Sequence, residues 1–349
     1  MKSRKFFANI GISLASIAVL LMLLEFLLIL FPKYSFYYIY PKGMFENAEA
    51  PLDFRLVPGF NGRMVGEYDV EVKINSDGLR DYEHELQSKK FRILALGDSM
   101  TFGQGIEIDK TFLSVIEKKI GAEVIKAGVP AYGQDNELEY FKTKGTKYRP
   151  DAVIIFYYPN DNDDNAGNTD RKIAYGNLIQ KYRYESMPNW KLYIYTKLYR
   201  TNTLRLLKGD YTNLLATFGR KESGLIENRL FLKNQSKENA DWAKTFSLFK
   251  EFRKNAGSAK LAIVYIPSKH QIYPSKYPKL FDSNTDIDKP NKVLGEIAAS
   301  LDIAYVDVTG ELRNLNDPEL YFGHDLHLSE KGHEVFGSLV AGEIKKHLR

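Results

Sequence analysis

Residues Phe91–Gly105, FRILALGDSMTFGQG, are the stretch on which the reading of this chain turns. The apolar run Ile93–Leu96, flanked by charge and closed by glycine, reads as a buried parallel strand. Gly97, Asp98 and Ser99 follow where that strand should end and a turn into a helix begin. Ligands of open α/β sheets bind outside the carboxyl ends of the strands. A serine placed there can act as a nucleophile and, through its backbone N–H, as an oxyanion donor. An isolated GDS triplet reads equally as a helix cap. The chemical reading gains from partners that follow in order.

Downstream, strands and helices alternate. The strand candidates are Arg92–Leu96, Glu123–Lys126, Ala152–Tyr158, Lys260–Ile266 and Ile303–Val308. Between and after them lie helical stretches at Thr111–Ile120, Asn136–Tyr148, Asn239–Asn255, Asn291–Leu301 and Ser329–Leu348. Alternating β and α implies an α/β domain, residues 91–349, with a parallel sheet covered on both faces. Residues 165–235, rich in Lys, Arg and Tyr, break the alternation and read as a mostly helical insertion. Two readings stay open there: a cap with a solvated basic face, or a lid touching a membrane surface or an anionic glycan.

Upstream, residues 34–90 read as a connector with a small β element. Residues 41–66 look extended, and Glu67–Ile74 alternates apolar Tyr68, Val70, Val72 and Ile74 with charge, as a half-exposed strand does. Asn75–Gly78 is a turn signal. The first 33 residues read as an anchor: Lys2, Arg4 and Lys5 precede an apolar run, residues 6–31, long enough to span a bilayer. The run continues past Ala15 and Ala18, so an uncleaved span is expected rather than a signal peptide. The basic end stays cytoplasmic, which puts the remainder on the periplasmic or extracellular side of a bacterial inner or cytoplasmic membrane. Tyr34, Phe36, Tyr37, Tyr38 and Tyr40 would form an aromatic belt at its outer face. Glu25 is unusual within such a span; it either snorkels to the interface or pairs with a partner.

Composition excludes some chemistries. With 349 residues the chain can bury a large core, and with no cysteine it has neither disulfides nor thiol catalysis. A net charge of +5 gives no reason to expect a nucleic-acid partner. The glycine spacing and lysine of a P-loop are missing from 97–105, and no cofactor or metal is expected.

A nucleophilic serine needs a base, an orienter and oxyanion donors. Gly323–His333, GHDLHLSEKGH, offers His327 as base and Asp325, two residues earlier, as orienter. Ser329 is the expected cap of the last helix, His324 and His333 are expected to be structural, and His84 and His347 to have a surface or capping role. Tyr157–Asp161, YYPND, puts Asn160 at another carboxyl strand end, where its amide can donate to an oxyanion or simply form a turn. Lys126–Gly133, KAGVPAYG, can aim a backbone N–H into the same cleft.

Four blocks in this order resemble the SGNH, or GDSL, hydrolase family, over roughly Phe91–Arg349; Ile74–Asp81, INSDGLRD, is similar to the lead-in of exported members. The resemblance implies a three-layer flavodoxin-like fold with sheet order 2-1-3-4-5, here preceded by one transmembrane helix. It implies catalytic roles for Ser99, His327 and Asp325, and an oxyanion hole from Ser99, Ala131 and Asn160. Three positions depart from the family pattern. Ala131 stands where the second block has glycine, and can serve if its φ is ordinary. Pro159 replaces a glycine before Asn160. The aspartate lies two residues before the histidine, a spacing similar to that of membrane-anchored, polysaccharide-modifying members, while His324 takes the usual place.

The expected function is a membrane-anchored serine esterase removing O-acyl, above all acetyl, groups from a surface glycan or another ester. The alternative is an exopolysaccharide O-acyltransferase served by a membrane acyl-donor protein; Pro267–Pro274, PSKHQIYP, is similar to a segment of that group. A non-catalytic glycan-binding protein on the same fold is the third reading.

Overall fold

The computed structural model describes residues 2–30, 40–50, 52–165, 171–180, 187–198, 200–204, 206, 229–278 and 280–348. After the N-terminal helix, the chain forms two antiparallel hairpins. β1 (Phe45–Asn47) pairs with β2 (Phe54–Leu56), and β3 (Asn61–Val65) with β4 (Asp69–Lys73). Residues 41–66 are therefore not an extended connector. Met44, Phe45, Phe54, Leu56 and Met64 are buried in the main core, and these short strands form because their apolar residues find that surface. In a strand of three residues the alternation is too brief to read locally.

β5 (Arg92–Gly97), β6 (Glu123–Gly128) and β7 (Ala152–Tyr157) begin the central sheet. A small antiparallel hairpin, β8 (Arg171–Ala174) and β9 (Asn177–Gln180), intervenes. β10 (Lys260–Tyr265) and β11 (Ala304–Asp307) complete the sheet, which is parallel in the order β6-β5-β7-β10-β11. Counted within this sheet, the order is the expected 2-1-3-4-5.

The three layers follow from strand periodicity. Leu94 and Leu96 of β5 face one side, with Trp242, Phe249, Phe252, Leu294 and Ile297 from the helices Ala240–Asn255 and Lys289–Ser300. Ile93 and Ala95 face the other, with Phe112, Ile116, Phe336 and Val340 from the helices Phe112–Ile120 and Glu330–Leu348. Successive residues of a strand point to opposite faces, so a strand covered on both sides is apolar throughout. Truncating any one of the leucine, isoleucine, phenylalanine or tryptophan side chains among these to alanine costs about 2–5 kcal/mol.

Where it is described, the insertion holds a strand pair, β8–β9, besides helix. Its β8–β9 turn places Tyr175 and Gly176 at φ of 50° and 76°, the paired positive values of a tight hairpin turn. The helix Asn189–Leu198 follows; residues 166–170, 181–186 and 207–228 of the insertion lie outside the described residues. So do Tyr34, Phe36, Tyr37 and Tyr38 of the expected aromatic belt.

The N-terminal helix runs Lys2–Leu30. Residues Lys5–Leu30, with mean hydropathy 2.6, are long and apolar enough to cross a membrane. Glu25 does not stand alone on it. Its carboxylate accepts from Asn202 N at 2.8 Å, Asn202 Nδ2 at 3.1 Å and Thr203 N at 2.7 Å.

Candidate active site

The site lies beyond the carboxyl end of β5. There the short helix Ser99–Phe102 is capped by Asp98, whose carboxylate accepts from Met100 N at 2.8 Å. Capping by Asp98 leaves the Ser99 hydroxyl for other partners. The end of β6 packs tightly beneath: a Cβ on Gly128 would sit 2.3 Å from Phe102 N, so only glycine fits. Val129 N donates to Gly97 O at 3.0 Å and joins the two strand ends.

The last loop brings His327 onto Ser99. Nε2 lies 2.8 Å from Ser99 Oγ, and Nδ1 lies 2.5 Å from Asp325 Oδ1. The backbone N–H of His327 donates to the same carboxylate oxygen at 3.1 Å, which holds the two-residue spacing in register. A bridge between Tyr321 and Leu328 closes the loop, and Ser329 Oγ then accepts from Gly332 N at 3.1 Å as cap of the last helix. His324 is exposed; Asp325, not His324, reaches the ring.

Electrostatics follow from burial. Burial alone would lower the His327 pKa, but the Asp325 carboxylate and, more weakly, Asp98 outweigh it and raise the value. Burial would raise Asp325, but His327 and the Tyr68 hydroxyl hold it down. Asp98, fully buried 3.3 Å from Ser99 Oγ, is pushed up by burial against the pull of the Met100 N–H and His327.

The two other oxyanion candidates lie on neighbouring turns. Asn160 starts the turn after β7; its Nδ2 donates to Asp164 Oδ2 at 3.1 Å, and the same side chain reaches the Asp98 carboxyl. Ala131 occupies the turn Val129–Tyr132, closed by Tyr132 N donating to Val129 O at 3.1 Å. The φ of Ala131 is not ordinary but +67°. Pro130 precedes it; a proline second and a positive φ third mark a type II turn, in which glycine is the usual third residue. Among the described residues neither the Ser99 nor the Ala131 N–H has a hydrogen-bond partner. Gln134 and Asn165 hold these turns together. Gln134 N donates to Asn165 Oδ1 at 2.8 Å, and Asn165 Nδ2 to Gln134 Oε1 at 2.6 Å. Gln134 Nε2 also donates to Asp161 Oδ2 at 2.7 Å. Burial and mutual repulsion with Asp98 push Asp161 and Glu137 well up, which favours their neutral forms.

Several supporting residues have no signal in motif spacing. Tyr68 Oη donates to Asp325 Oδ2 at 3.1 Å, and Glu67 Oε1 accepts from the N–H of Asp325 at 2.6 Å. Gln104 Nε2 lies 3.2 Å from His327 Nδ1, and its Oε1 accepts from Tyr40 Oη at 2.8 Å. Lys269, within the PSKHQIYP segment, donates to the carbonyls of Phe322 at 2.5 Å and Gly323 at 2.7 Å. The lead-in acts as a brace. Buried Arg80 donates to the carbonyls of Phe102, Gly103, Ile106 and Glu71 at 2.6–3.1 Å. His84 is not a surface residue; its nearly buried ring bridges Asp81 at 2.7 Å and Glu123 at 2.9 Å. His333 is structural, accepting from Phe112 N at 2.9 Å, and His347 is exposed.

Among the described residues no group of three or more His, Asp or Glu is placed to hold a metal. No curated protein matches the chain in sequence. Solved structures do. A lipase/acylhydrolase from Enterococcus faecalis is 16% identical, with 74% of this chain and 97% of that one covered at a TM-score of 0.42. A psychrotrophic esterase, EstA, from Pseudoalteromonas is 14% identical, with 73% and 97% covered at 0.37. A GDSL-like lipase from Bacteroides thetaiotaomicron is 14% identical, with 74% and 89% covered at 0.38. The model of the GDSL-like lipase/acylhydrolase family matches residues 95–335, a span that runs from the strand before Ser99 through the loop that carries His327, and the chain belongs to that family.

Proposed function

We propose that this protein is a membrane-anchored serine esterase that removes small O-acyl groups, acetyl above all, from a surface glycan. The observation that carries the catalytic part is the continuous contact from Ser99 Oγ through His327 to Asp325. His327 Nε2 takes the proton of Ser99 as Oγ attacks the ester carbonyl. The carbonyl oxygen becomes an oxyanion facing the N–H groups of Ser99 and Ala131 and the Asn160 amide. His327 then passes its proton to the departing alkoxide as the C–O bond breaks, leaving an acyl-Ser99. Water, deprotonated by His327, attacks that ester; the acid leaves and the proton returns to Ser99. Asp325 holds the ring and stabilises the imidazolium. The Lys5–Leu30 helix supports the anchor, and its basic end supports an outward-facing site.

Transfer to a sugar hydroxyl shares every step up to the acyl-enzyme. What favours it as a second reading is the two-residue spacing of Asp325 and His327. The test is hydrolysis of p-nitrophenyl acetate and of an acetylated glycan by the full chain in detergent, beside Ser99→Ala. Loss of turnover and of phosphonate labelling in the variant supports the esterase. Transfer exceeding hydrolysis when a hydroxyl acceptor is added selects the second reading. Absence of both turnover and labelling in the unaltered chain refutes catalysis by this chain alone.

A further inference from the structure

A cavity of about 390 Å³ lies between the β8–β9 turn, the helix Asn189–Leu198 and the chain at Lys42, and neither Ser99, Asp325, His327 nor an oxyanion candidate lines it. Lys42, Lys197 and Arg200 line it with Tyr175, Tyr193 and Asn177, and no carboxylate is among its described lining residues. The Arg200 guanidinium is held in place: Nη1 donates to Asn177 Oδ1 at 2.8 Å and to Tyr40 O at 3.2 Å. Three cationic side chains around a recess whose surface is otherwise largely apolar form a site for an anion that carries an apolar part, and phosphate suits the Arg200 fork. The volume is at the lower end of the ~300–1,000 Å³ range of ligand pockets, so it suits a headgroup rather than a whole lipid.

We propose that this cavity binds the headgroup of an anionic phospholipid in the membrane that the N-terminal helix spans. The proposal rests on that reading of the helix. Its location argues for a lipid source. Arg200 lies two residues before Asn202, which with Thr203 is fastened to Glu25 inside the apolar helix. Glu25 is five residues from the end of that helix, or about 7.5 Å at 1.5 Å per residue, so the fastening point sits at interfacial depth. The helix beside the cavity also exposes Trp190, Tyr193, Ile194 and Leu198, with Leu204 just beyond. Trp190, Tyr193 and Lys197 recur three and four residues apart and share one face. An exposed tryptophan beside lysines and aliphatic residues matches a bilayer interface, where the indole sits at headgroup level and the cations meet anionic lipid.

Trp190 is also the reporter, because the other tryptophan, Trp242, is fully buried. The full chain in neutral detergent micelles is titrated with dihexanoyl phosphatidylglycerol, dihexanoyl phosphatidylcholine or inorganic phosphate, and Trp190 emission is followed. Saturable binding of the phosphatidylglycerol is expected, with the other two at least about tenfold weaker. Lys42→Gln and Lys197→Gln each weaken it about fivefold, at roughly 1 kcal/mol per basic residue. Equal response to both lipids, or unchanged binding in the double variant, overturns the proposal. Inorganic phosphate binding as tightly as the lipid assigns the cavity to a soluble phosphate and also overturns it. A photoreactive phosphatidylglycerol provides a readout independent of the variants: crosslinks to residues 190–200 support the site, and crosslinks confined elsewhere overturn it. Release of the chain from membranes by alkaline carbonate would refute the anchor itself, an outcome separate from the titration.

Discussion

Tyr68 and Asp325 stand 257 residues apart in the chain, yet the Tyr68 hydroxyl donates to Asp325 Oδ2 at 3.1 Å. The turn of the β3–β4 hairpin thus holds the carboxylate that faces His327. Gly105 makes room: its φ is +81°, and a Cβ there would sit 2.5 Å from the Tyr68 ring. Tyr68→Phe removes one donor to a buried carboxylate while keeping the ring. The expected outcome is a fall in kcat of about tenfold with KM little changed, the size of one charged hydrogen bond. Steady-state kinetics on a chromogenic ester check this; a change confined to KM would contradict the positioning role.

The pH profile follows from the His327 environment. In the proposed mechanism His327 accepts a proton only when neutral, and its pKa stands above the ordinary 6.5 because the two carboxylates outweigh burial. Activity should therefore be lost on the acid side as pH falls through a value above 6.5. Asp325→Asn removes the chief raising influence, so the acid limb moves to lower pH while kcat drops about 10³–10⁴-fold. A limb that stays in place in this variant would show that another group controls it.

Ala131 carries a backbone penalty that glycine would not. An L-residue in the left-handed region costs about 1–2 kcal/mol, offset in part by the larger unfolded-state entropy of glycine. Ala131→Gly should raise stability by about 0.5–1 kcal/mol, seen as a small rise in melting temperature. Ala131→Val should lower stability and activity together, since a branched side chain tolerates a φ of +67° poorly.

Arg80 ties the loop after Ser99 to the β3–β4 hairpin. Arg80→Ala removes the donor of the Phe102 and Ile106 carbonyls and leaves the Gly103 carbonyl only the Ile106 N–H, and a loss of about 3 kcal/mol is expected in denaturant unfolding. Arg80→Lys reaches fewer of them and should recover only part.

The Asp81–His84 pair makes stability depend on pH in both directions. His84 is raised, because Asp81 and Glu123 overcome the effect of burial, so its contribution is complete below 6.5 and is lost as pH rises through the folded value. Asp81 is lowered, because His84 and Lys126 overcome burial, so its contribution is complete above 3.8 and is lost as pH falls. Both contributions are complete together between 3.8 and 6.5. Melting curves of His84→Gln should lack the decline above that window that the unaltered chain shows.

The sequence alone determined the sheet, because strands buried on both faces must be continuous apolar runs and the turns beyond them carry the glycines, serine and histidine. It also marked Ser99, Ala131 and Asn160, in short blocks after strand ends, and Asp325 and His327, in the short block before the last helix. Tertiary structure alone decided what holds those blocks in place. Tyr68, Gln104, Lys269 and Arg80 act across long chain separations through hydrogen bonds that leave no local period. The strands between Phe45 and Val65 were hidden for the same reason: their apolar residues are too few to pattern a segment and become strand only against a core supplied by distant helices. The φ of Ala131 likewise belongs to the closed turn, not to the alanine, and Glu25 finds its partners only when residues 202 and 203 fold back onto the N-terminal helix.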